Sequence, residues 1–296
     1  ASLGLVADCP APALAALFRG RDPDLPDCAG LAIATGPDTA IVVHPDETPD
    51  GFLGRLADVL ATRPFAASPY KELHQFFASR GLLLPTPVQD PVLAAYLVQP
   101  ERENHSLDAL SLEFLGEPLP PPSDPGSHAL AQRAAAVWRV REPLTGQLEA
   151  SGLSAILRDT ELPIAALLGD MERTGVTVDR AALQALSISL GGDMQRIEKA
   201  VIDAAGMPFN PNSPKQLADV LFGKLGLPVV KKTKTGPSTD VTVLEELSDR
   251  HPVPRLILEY RSVTKLKSTY ADALANLINP RTGRVHTSYN QMVTAT

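Results

Sequence analysis

Residues 31–44, LAIATGPDTAIVVH, hold two short apolar runs on either side of the turn-forming segment Gly36-Pro37-Asp38-Thr39. This pattern is typical of a β-hairpin, because glycine, proline and aspartate close tight turns between extended segments. The apolar residues 4–7, GLVA, predict a further strand. After the hairpin, apolar residues recur at helical spacing over residues 53–60, 70–77 and 92–97. Strands followed by helices predict an α/β domain in which helices cover a mixed sheet.

Beyond residue 150 the sequence has the pattern of long helices. After Asp179, apolar residues recur at steps of three and four from Leu183 to Val201, which predicts an amphipathic helix of about five turns. The segment Ser213-Pro214-Lys215-Gln216 has the pattern of a capping box, and its helix is expected to end at Gly226. Another helix is predicted from Val263 to Leu277, followed by a strand over residues 285–289.

Composition describes a globular chain whose charge is unevenly distributed. The 296 residues include 44% hydrophobic residues, enough for two cores, and carry a formal net charge of −7. Residues 1–150 hold 10 Lys and Arg against 19 Asp and Glu, whereas residues 206–296 hold 12 against 7. A basic end on an acidic protein is typical of nucleic-acid binding, because its cations attract phosphates. The two cysteines, Cys9 and Cys28, are predicted to be free thiols.

The sequence lacks the common catalytic motifs. It has no G-x-S-x-G elbow, no G-x-G-x-x-G loop and no P-loop, and its six histidines are scattered. Its carboxylates are not spaced to hold two divalent ions. It also has no apolar run of about 20 residues and no signal-peptide pattern, so a cytoplasmic location is expected. The residues alone therefore predict no active site and no bound metal ion or other cofactor.

Three polar clusters are suited to a sugar-phosphate backbone. Asn210, Asn212 and Ser213 lie at a predicted helix start, where free N–H groups favour an anion. The basic segment 231–239, KKTKTGPST, ends in the hydroxyls of Ser238 and Thr239. Arg261, Lys265 and Ser268 follow one side of a predicted helix. Each cluster alone also has an ordinary interpretation, as a helix cap, a solvated loop or a basic helix face.

The stretch from Glu161 to Thr296 resembles the start of the polymerase domain of the family-A DNA polymerases, the family of bacterial DNA polymerase I. The matching strings are Met171-Glu172-Arg173-Thr174-Gly175-Val176, Pro208-Phe209-Asn210-Pro211-Asn212-Ser213, Leu225-Gly226-Leu227-Pro228, Tyr260-Arg261, Thr264-Lys265-Leu266-Lys267-Ser268-Thr269-Tyr270, Asn279-Pro280-Arg281-Thr282-Gly283-Arg284-Val285-His286-Thr287, Asn290-Gln291 and Thr294-Ala295-Thr296. The resemblance implies a mainly helical thumb over about residues 180–278, then the first strands of the palm, within a polymerase part at residues 149–296.

In this family the thumb holds the backbone of the primer-template duplex, which suits an enzyme that accepts any sequence. The resemblance implies that ten residues contact DNA: Asn210, Asn212, Ser213, Ser238, Thr239, Arg261, Lys265, Asn290, Gln291 and Thr294. Pro214 stands where a polar or basic residue is expected, which is predicted to weaken phosphate binding just after Ser213.

Residues 1–148 resemble the ribonuclease-H-like 3′-to-5′ exonuclease domain that precedes the polymerase domain. The match is carried by Ser68-Pro69-Tyr70-Lys71 and by Asp90-Pro91-Val92-Leu93-Ala94-Ala95-Tyr96-Leu97. Where the family has metal-binding carboxylates, this chain offers Val6-Ala7-Asp8, Leu73 and Ala134, and Leu130 stands near the family's tyrosine. One carboxylate cannot hold two divalent ions, so an inactive exonuclease domain is expected.

The chain stops at Thr296, where the family continues. The resemblance implies that the two palm aspartates and the fingers lie beyond this chain, so that catalysis of nucleotidyl transfer is expected only from the complete enzyme. It implies primer-template DNA as partner, and Mg²⁺ and dNTP only together with a C-terminal polymerase fragment. The expected location is the bacterial nucleoid. Two alternatives remain: a stand-alone DNA-binding module without catalysis, and an active 3′-to-5′ exonuclease.

Overall fold

A computed structural model describes residues 2–20, 22–121, 126–234 and 236–293. The chain divides into two compact units, of which the first comprises residues 1–175 and 286–296 and the second residues 176–285. The predicted boundary at residues 148 and 149 falls inside the first unit, because the helices up to Thr174 pack into the same core as residues 1–148. None of the helices within the described ranges is long and apolar enough to cross a membrane.

The first unit is built on a four-stranded mixed sheet in the order β3-β2-β1-β4. Strand β1 pairs antiparallel with β2 and parallel with β4, and β2 pairs antiparallel with β3. The strands are β1 (Ala13–Arg19), β2 (Asp27–Gly36), β3 (Thr39–Val43) and β4 (Ala66–Ser68). The hairpin predicted from residues 31–44 is confirmed as β2 and β3, with the turn at Pro37 and Asp38.

Eight helices accompany this sheet in the described part of the first unit: α1 (Ser2–Asp8), α2 (Phe52–Leu60), α3 (Tyr70–Ala78), α4 (Pro91–Val98), α5 (Leu107–Leu115), α6 (Ser127–Ala150), α7 (Ser154–Ile156) and α8 (Leu162–Thr174). Helix α6 packs across β1, β2 and β3. Its Leu130 lies so close to Gly30 of β2 that a Cβ atom at residue 30 would be 2.3 Å from Leu130 Cδ1. The predicted α/β class with helices covering a mixed sheet is thus confirmed for this unit.

The strand predicted at residues 4–7 is wrong, because these residues lie in helix α1. A four-residue apolar run does not distinguish a strand from one turn of helix. Of these residues only Val6 is buried, and the guanidinium group of Arg63 donates to the carbonyls of Val6, Ala7 and Cys9 at the end of the helix. Packing and this cap therefore select the helix.

The second unit is mainly helical. Its helices are α9 (Arg180–Ala205), α10 (Pro214–Ala218), α11 (Val241–Leu247), α12 (Pro252–Lys265) and α13 (Ala273–Asn276), and its short strands are β5 (Val176–Thr177), β6 (Lys232–Thr233), β7 (Gly236–Pro237) and β8 (Arg284–Val285). A π-helical turn at Asp219–Lys224 extends α10, and another at Leu266–Asp272 joins α12 to α13. Its core includes Val201, Leu221, Leu244 and Ile257.

The helix predicted after Asp179 is confirmed as α9, and the Asp179 carboxylate accepts from Ala182 N at 3.0 Å. The helix predicted from Val263 to Leu277 begins earlier, at Pro252, with His251 as its N-cap. The strand predicted over residues 285–289 is wrong beyond Val285, since β8 ends there after pairing with β5. Residues 286–292 instead form hydrogen bonds within the first unit.

Candidate nucleic-acid interface

The three polar clusters of the second unit meet at two consecutive residues of α12. The Asn212 side-chain amide donates to the Tyr260 hydroxyl at 3.0 Å, which ties the segment before α10 to α12. The Arg261 guanidinium donates to the Thr239 carbonyl at 2.6 Å, which ties the basic segment to the same helix. Asn212 and Thr239, which are far apart in the sequence, are therefore both hydrogen-bonded to helix α12.

The first cluster is a network of turn and cap hydrogen bonds. Asn210 Oδ1 accepts from Asn212 N at 2.9 Å, and Ser213 N donates to the Asn210 carbonyl at 3.0 Å. Ser213 Oγ accepts from Gln216 N at 3.4 Å, as expected of a capping box. The Gln216 side chain, however, accepts from Asn210 N rather than Ser213 N, at 2.8 Å. The side chains of Asn210 and Asn212 remain exposed at this helix start.

The second cluster is a two-stranded hairpin formed by β6 and β7, with Thr235 outside the described residues. Ser238 and Thr239, predicted as DNA contacts, are buried, with 5% and 8% of their surfaces exposed. Ser238 Oγ accepts from Asp240 N at 3.3 Å, and Thr239 Oγ1 accepts from Arg261 Nη2 at 3.4 Å. In this structure the two hydroxyls hold the base of the hairpin.

Electrostatics at this base follow from the same contacts. The ammonium group of Lys231, 2.8 Å from the Asp240 carboxylate, lowers the pKa of that carboxyl, and hydrogen bonds from Val243 N and the Thr242 hydroxyl lower it further. Burial lowers the pKa of the half-buried Arg261 guanidinium. Asp240 is thus an ionised N-cap of α11, and the ammonium group of Lys231 forms an ion pair with it.

Of the cations in the second and third clusters, three are exposed and carry no carboxylate partner in the part of the chain that the structure describes: Lys232, Lys234 and Lys265. Lys267, by contrast, is 2.9 Å from the Asp272 carboxylate and also donates to Ser187 Oγ. An exposed lysine without a counter-ion is available to an incoming anion, since no internal pair must break. The unit therefore offers positive charge on the β6–β7 hairpin and on α12.

The remaining predicted contacts lie elsewhere. Asn290 and Gln291 belong to the first unit, and Thr294 lies outside the described residues. Asn290 is exposed, and its Oδ1 accepts from Met292 N at 3.0 Å. The Gln291 side chain donates to the carbonyl of Glu161 at 2.8 Å and to the carboxylate of the same residue.

Sequence reasoning assigned no role to the buried polar cluster that holds this segment. Glu172, 4% exposed, accepts from Lys71 Nζ at 2.7 Å, from Gln75 Nε2 at 2.6 Å and from Tyr289 N at 2.7 Å. An open cleft of about 330 Å³ lies beside it in the same unit. In the sequence, Glu172 stands out only within a string that carries the family resemblance, and its partners are distant along the chain on either side.

Of the positions that the resemblance assigns to the exonuclease metal site, Asp8 carries a carboxylate, whereas Leu73 and Ala134 are apolar. The first strand of the sheet is β1, with the sequence ALAALFR, and not Val6-Ala7-Asp8, which lies in α1. Leu73, Leu130 and Ala134 are fully buried in the core. Within the described ranges, no group of three or more His, Cys, Asp or Glu residues could hold a metal ion.

Comparison with known proteins identifies relatives of this chain. Residues 180–296 match the sequence profile of DNA polymerase family A. The chain is 43% identical over 248 residues to a thermostable DNA polymerase I of Thermus aquaticus, a match that covers 78% of this chain and 28% of that protein. It is 39% identical over 231 residues to a DNA polymerase I of Geobacillus stearothermophilus, covering 73% of this chain and 26% of that one.

A solved structure extends the similarity to nearly all of the chain. It is the POL domain of Pol1 from M. smegmatis in complex with DNA primer-template and dNTP. The two folds match with a TM-score of 0.87 at 30% sequence identity, over 99% of this chain and 51% of that chain. The resemblance to bacterial DNA polymerase I is thus confirmed, and this chain spans about a quarter of the length of the curated relatives quoted.

Proposed function

From its similarity to the bacterial DNA polymerases I of family A, we propose that this chain is the segment of a DNA-directed DNA polymerase that holds the primer-template duplex. The proposal is carried by the junction at Tyr260 and Arg261, where three polar clusters of the second unit are tied to one helix. Phosphate contacts position a protein on DNA without reading sequence, and exposed lysines and amides supply such contacts. The second unit would be the thumb.

The polymerase reaction itself is proposed for the complete enzyme. Nucleotidyl transfer uses two divalent metal ions held by carboxylates, and the described residues hold no such cluster. We assign Mg²⁺ and dNTP to a C-terminal polymerase fragment, with this chain binding the duplex for it in the nucleoid of a bacterial cytoplasm. Primer extension by the assembled parts, compared with the C-terminal part alone, tests this assignment. Equal extension with and without this chain would contradict it.

Salt dependence tests the duplex contact directly. The assay is the anisotropy of a labelled primer-template duplex titrated with this chain between about 50 and 200 mM salt. Replacing Lys232 and Lys234 by alanine is expected to weaken binding and to reduce the salt slope by about 0.9 for each phosphate that is no longer neutralised. The matched control replaces Arg55 and Arg158, two exposed cations of the first unit. Equal slopes for both double variants, or salt-independent binding by the wild type, would refute the proposal.

The first unit is proposed to be an exonuclease-like domain without exonuclease activity. Fully buried Leu73 and Ala134 support this, because an apolar side chain cannot ligate a divalent ion. The domain would then be retained for packing. We expect no digestion of a labelled single strand in Mg²⁺ or Mn²⁺. Metal-dependent release of nucleotides from the 3′ end, abolished by a chelator, would establish the alternative activity.

A further inference from the structure

A segment near the end of the chain, residues 286–292, is anchored to helices α3 and α8 within the first unit. His286 Nδ1 donates to the carbonyl of Glu172 at 2.8 Å. Three residues later, the backbone N–H of Tyr289 donates to the carboxylate of the same glutamate at 2.7 Å. One residue of α8 therefore fixes this segment at two points.

Lys71 of α3 completes the anchor. Its ammonium group donates to the Glu172 carboxylate at 2.7 Å and to the Tyr289 carbonyl at 2.8 Å. Both backbone polar groups of Tyr289 are thereby bound to an ion pair that is largely shielded from water. A buried carboxylate is tolerated only when several donors satisfy it. Gln75 Nε2 is the third donor to the Glu172 carboxylate, after Lys71 Nζ and Tyr289 N.

A second anchor lies just beyond. The Gln291 side chain donates to both the backbone carbonyl and the carboxylate of Glu161. Asn290 stands between the two anchors, exposed, with its Oδ1 accepting from Met292 N. The remaining polar group of that side chain, the amide NH₂, is a donor that can reach a phosphate or a base edge.

We propose that Glu172 is a positioning residue for duplex binding, which together with Lys71 and Glu161 fixes the backbone on both sides of Asn290 so that its amide is presented to DNA. The inference rests on the proposed function, because it takes primer-template DNA as the ligand. The inference also explains why the Lys71–Glu172 ion pair is present, since a pair this shielded from water adds little stability compared with apolar packing of similar volume. Donors held in place lose less conformational freedom when they bind.

A double-mutant cycle tests the inference, with Kd for a primer-template duplex as the readout. Glu172→Gln puts an amide NH₂ where donors converge, and is expected to weaken binding about fivefold, the size of one lost hydrogen bond. Asn290→Ala is expected to do the same. If Glu172 acts through Asn290, the combined variant is no weaker than the weaker single one. Glu172→Gln combined with Lys265→Ala, in the second unit, should show the product of the two effects.

Chymotrypsin cleavage after Tyr289 measures the anchor without DNA. Glu172→Gln should speed this cleavage, whereas the matched control Arg158→Gln, which breaks an exposed pair with Asp159, should not. Should Glu172→Gln fail to fold, Lys71→Gln, which alters a less buried member of the pair, takes its place in both assays.

The outcomes separate this inference from the proposed function. Multiplying effects of Glu172→Gln and Asn290→Ala, or unchanged cleavage at Tyr289, would overturn the inference. If Lys265→Ala weakens binding and Asn290→Ala does not, the inference is wrong and the proposed function stands. If both Lys265→Ala and the double variant of Lys232 and Lys234 leave Kd unchanged, the proposed function itself is wrong, and the inference that rests on it is wrong as well.

Discussion

Asp90 is a buried carboxylate that joins two helices of the first unit, and its titration can be predicted in sign and size. Its Oδ1 accepts from Val92 N at 2.9 Å as the N-cap of α4, and its Oδ2 accepts from Tyr70 N, at the start of α3, also at 2.9 Å. Burial raises the pKa of this carboxyl to about 6, and the hydrogen bonds it accepts only partly offset that effect.

The sign follows from linkage. Because the pKa is higher in the folded protein than its ordinary value of 3.8, the stabilising contribution of Asp90 is complete below pH 3.8 and is lost as the pH rises through about 6. At about 1.4 kcal/mol for each pH unit of separation, the loss between acid and neutral pH is about 3 kcal/mol. An asparagine at residue 90 does not titrate, so it removes this dependence.

Urea unfolding from about pH 3 to 7.5 measures this loss, with the fluorescence of Trp138 as the probe. This is the single tryptophan of the chain, and it packs against the core of the first unit. The free energy of unfolding of the wild type minus that of Asp90→Asn is expected to fall by about 3 kcal/mol over this range. Asp58→Asn, an exposed change on α2, is the control. Curves for the wild type and Asp90→Asn that stay parallel would refute the argument.

Two substitutions test the packing of each unit. Gly169→Ala places a Cβ 3.2–3.4 Å from atoms of α3 and is expected to destabilise the first unit by about 1–3 kcal/mol. The measurement is unfolding followed by Trp138 fluorescence. Gly146→Ala, which has open space around its Cβ, is the control and should not destabilise the unit. Tyr260→Phe removes the hydrogen bond from Asn212 and should cost the second unit about 1 kcal/mol in thermal unfolding, with a weaker duplex Kd, whereas Tyr270→Phe on the exposed surface should be neutral.

Local patterns predicted the elements of this fold where a single face is buried over several turns. The hairpin of residues 31–44 and the helix after Asp179 are examples, since alternation and helical spacing both report burial of one face. The segment at residues 4–7 was assigned incorrectly because its fold is decided by Arg63, more than 50 residues away. The strand at residues 285–289 was too long because Tyr289 is bound by Lys71 and Glu172, which no local pattern contains.

The candidate site shows the same limit. Its clusters could be found from residue types, because amides, hydroxyls and lysines near helix starts suit phosphates wherever they occur. Which of those groups face solvent could not be found, because that depends on contacts across the unit. The Thr239 carbonyl is bound by Arg261, 22 residues away, and the two hydroxyls next to it are buried as a result. Exposure is a property of the fold rather than of the motif.

Under our proposal, the residues of the second and third clusters divide into two groups with different roles. Ser238, Thr239 and Arg261 form their hydrogen bonds with other groups of the protein. Their substitution should therefore change the shape of the surface and leave the salt slope of duplex binding nearly unchanged. Lys232, Lys234 and Lys265 are exposed, so their loss should change the slope itself. A change in Kd at constant slope therefore identifies a supporting residue, and a change in slope identifies a group that meets phosphate.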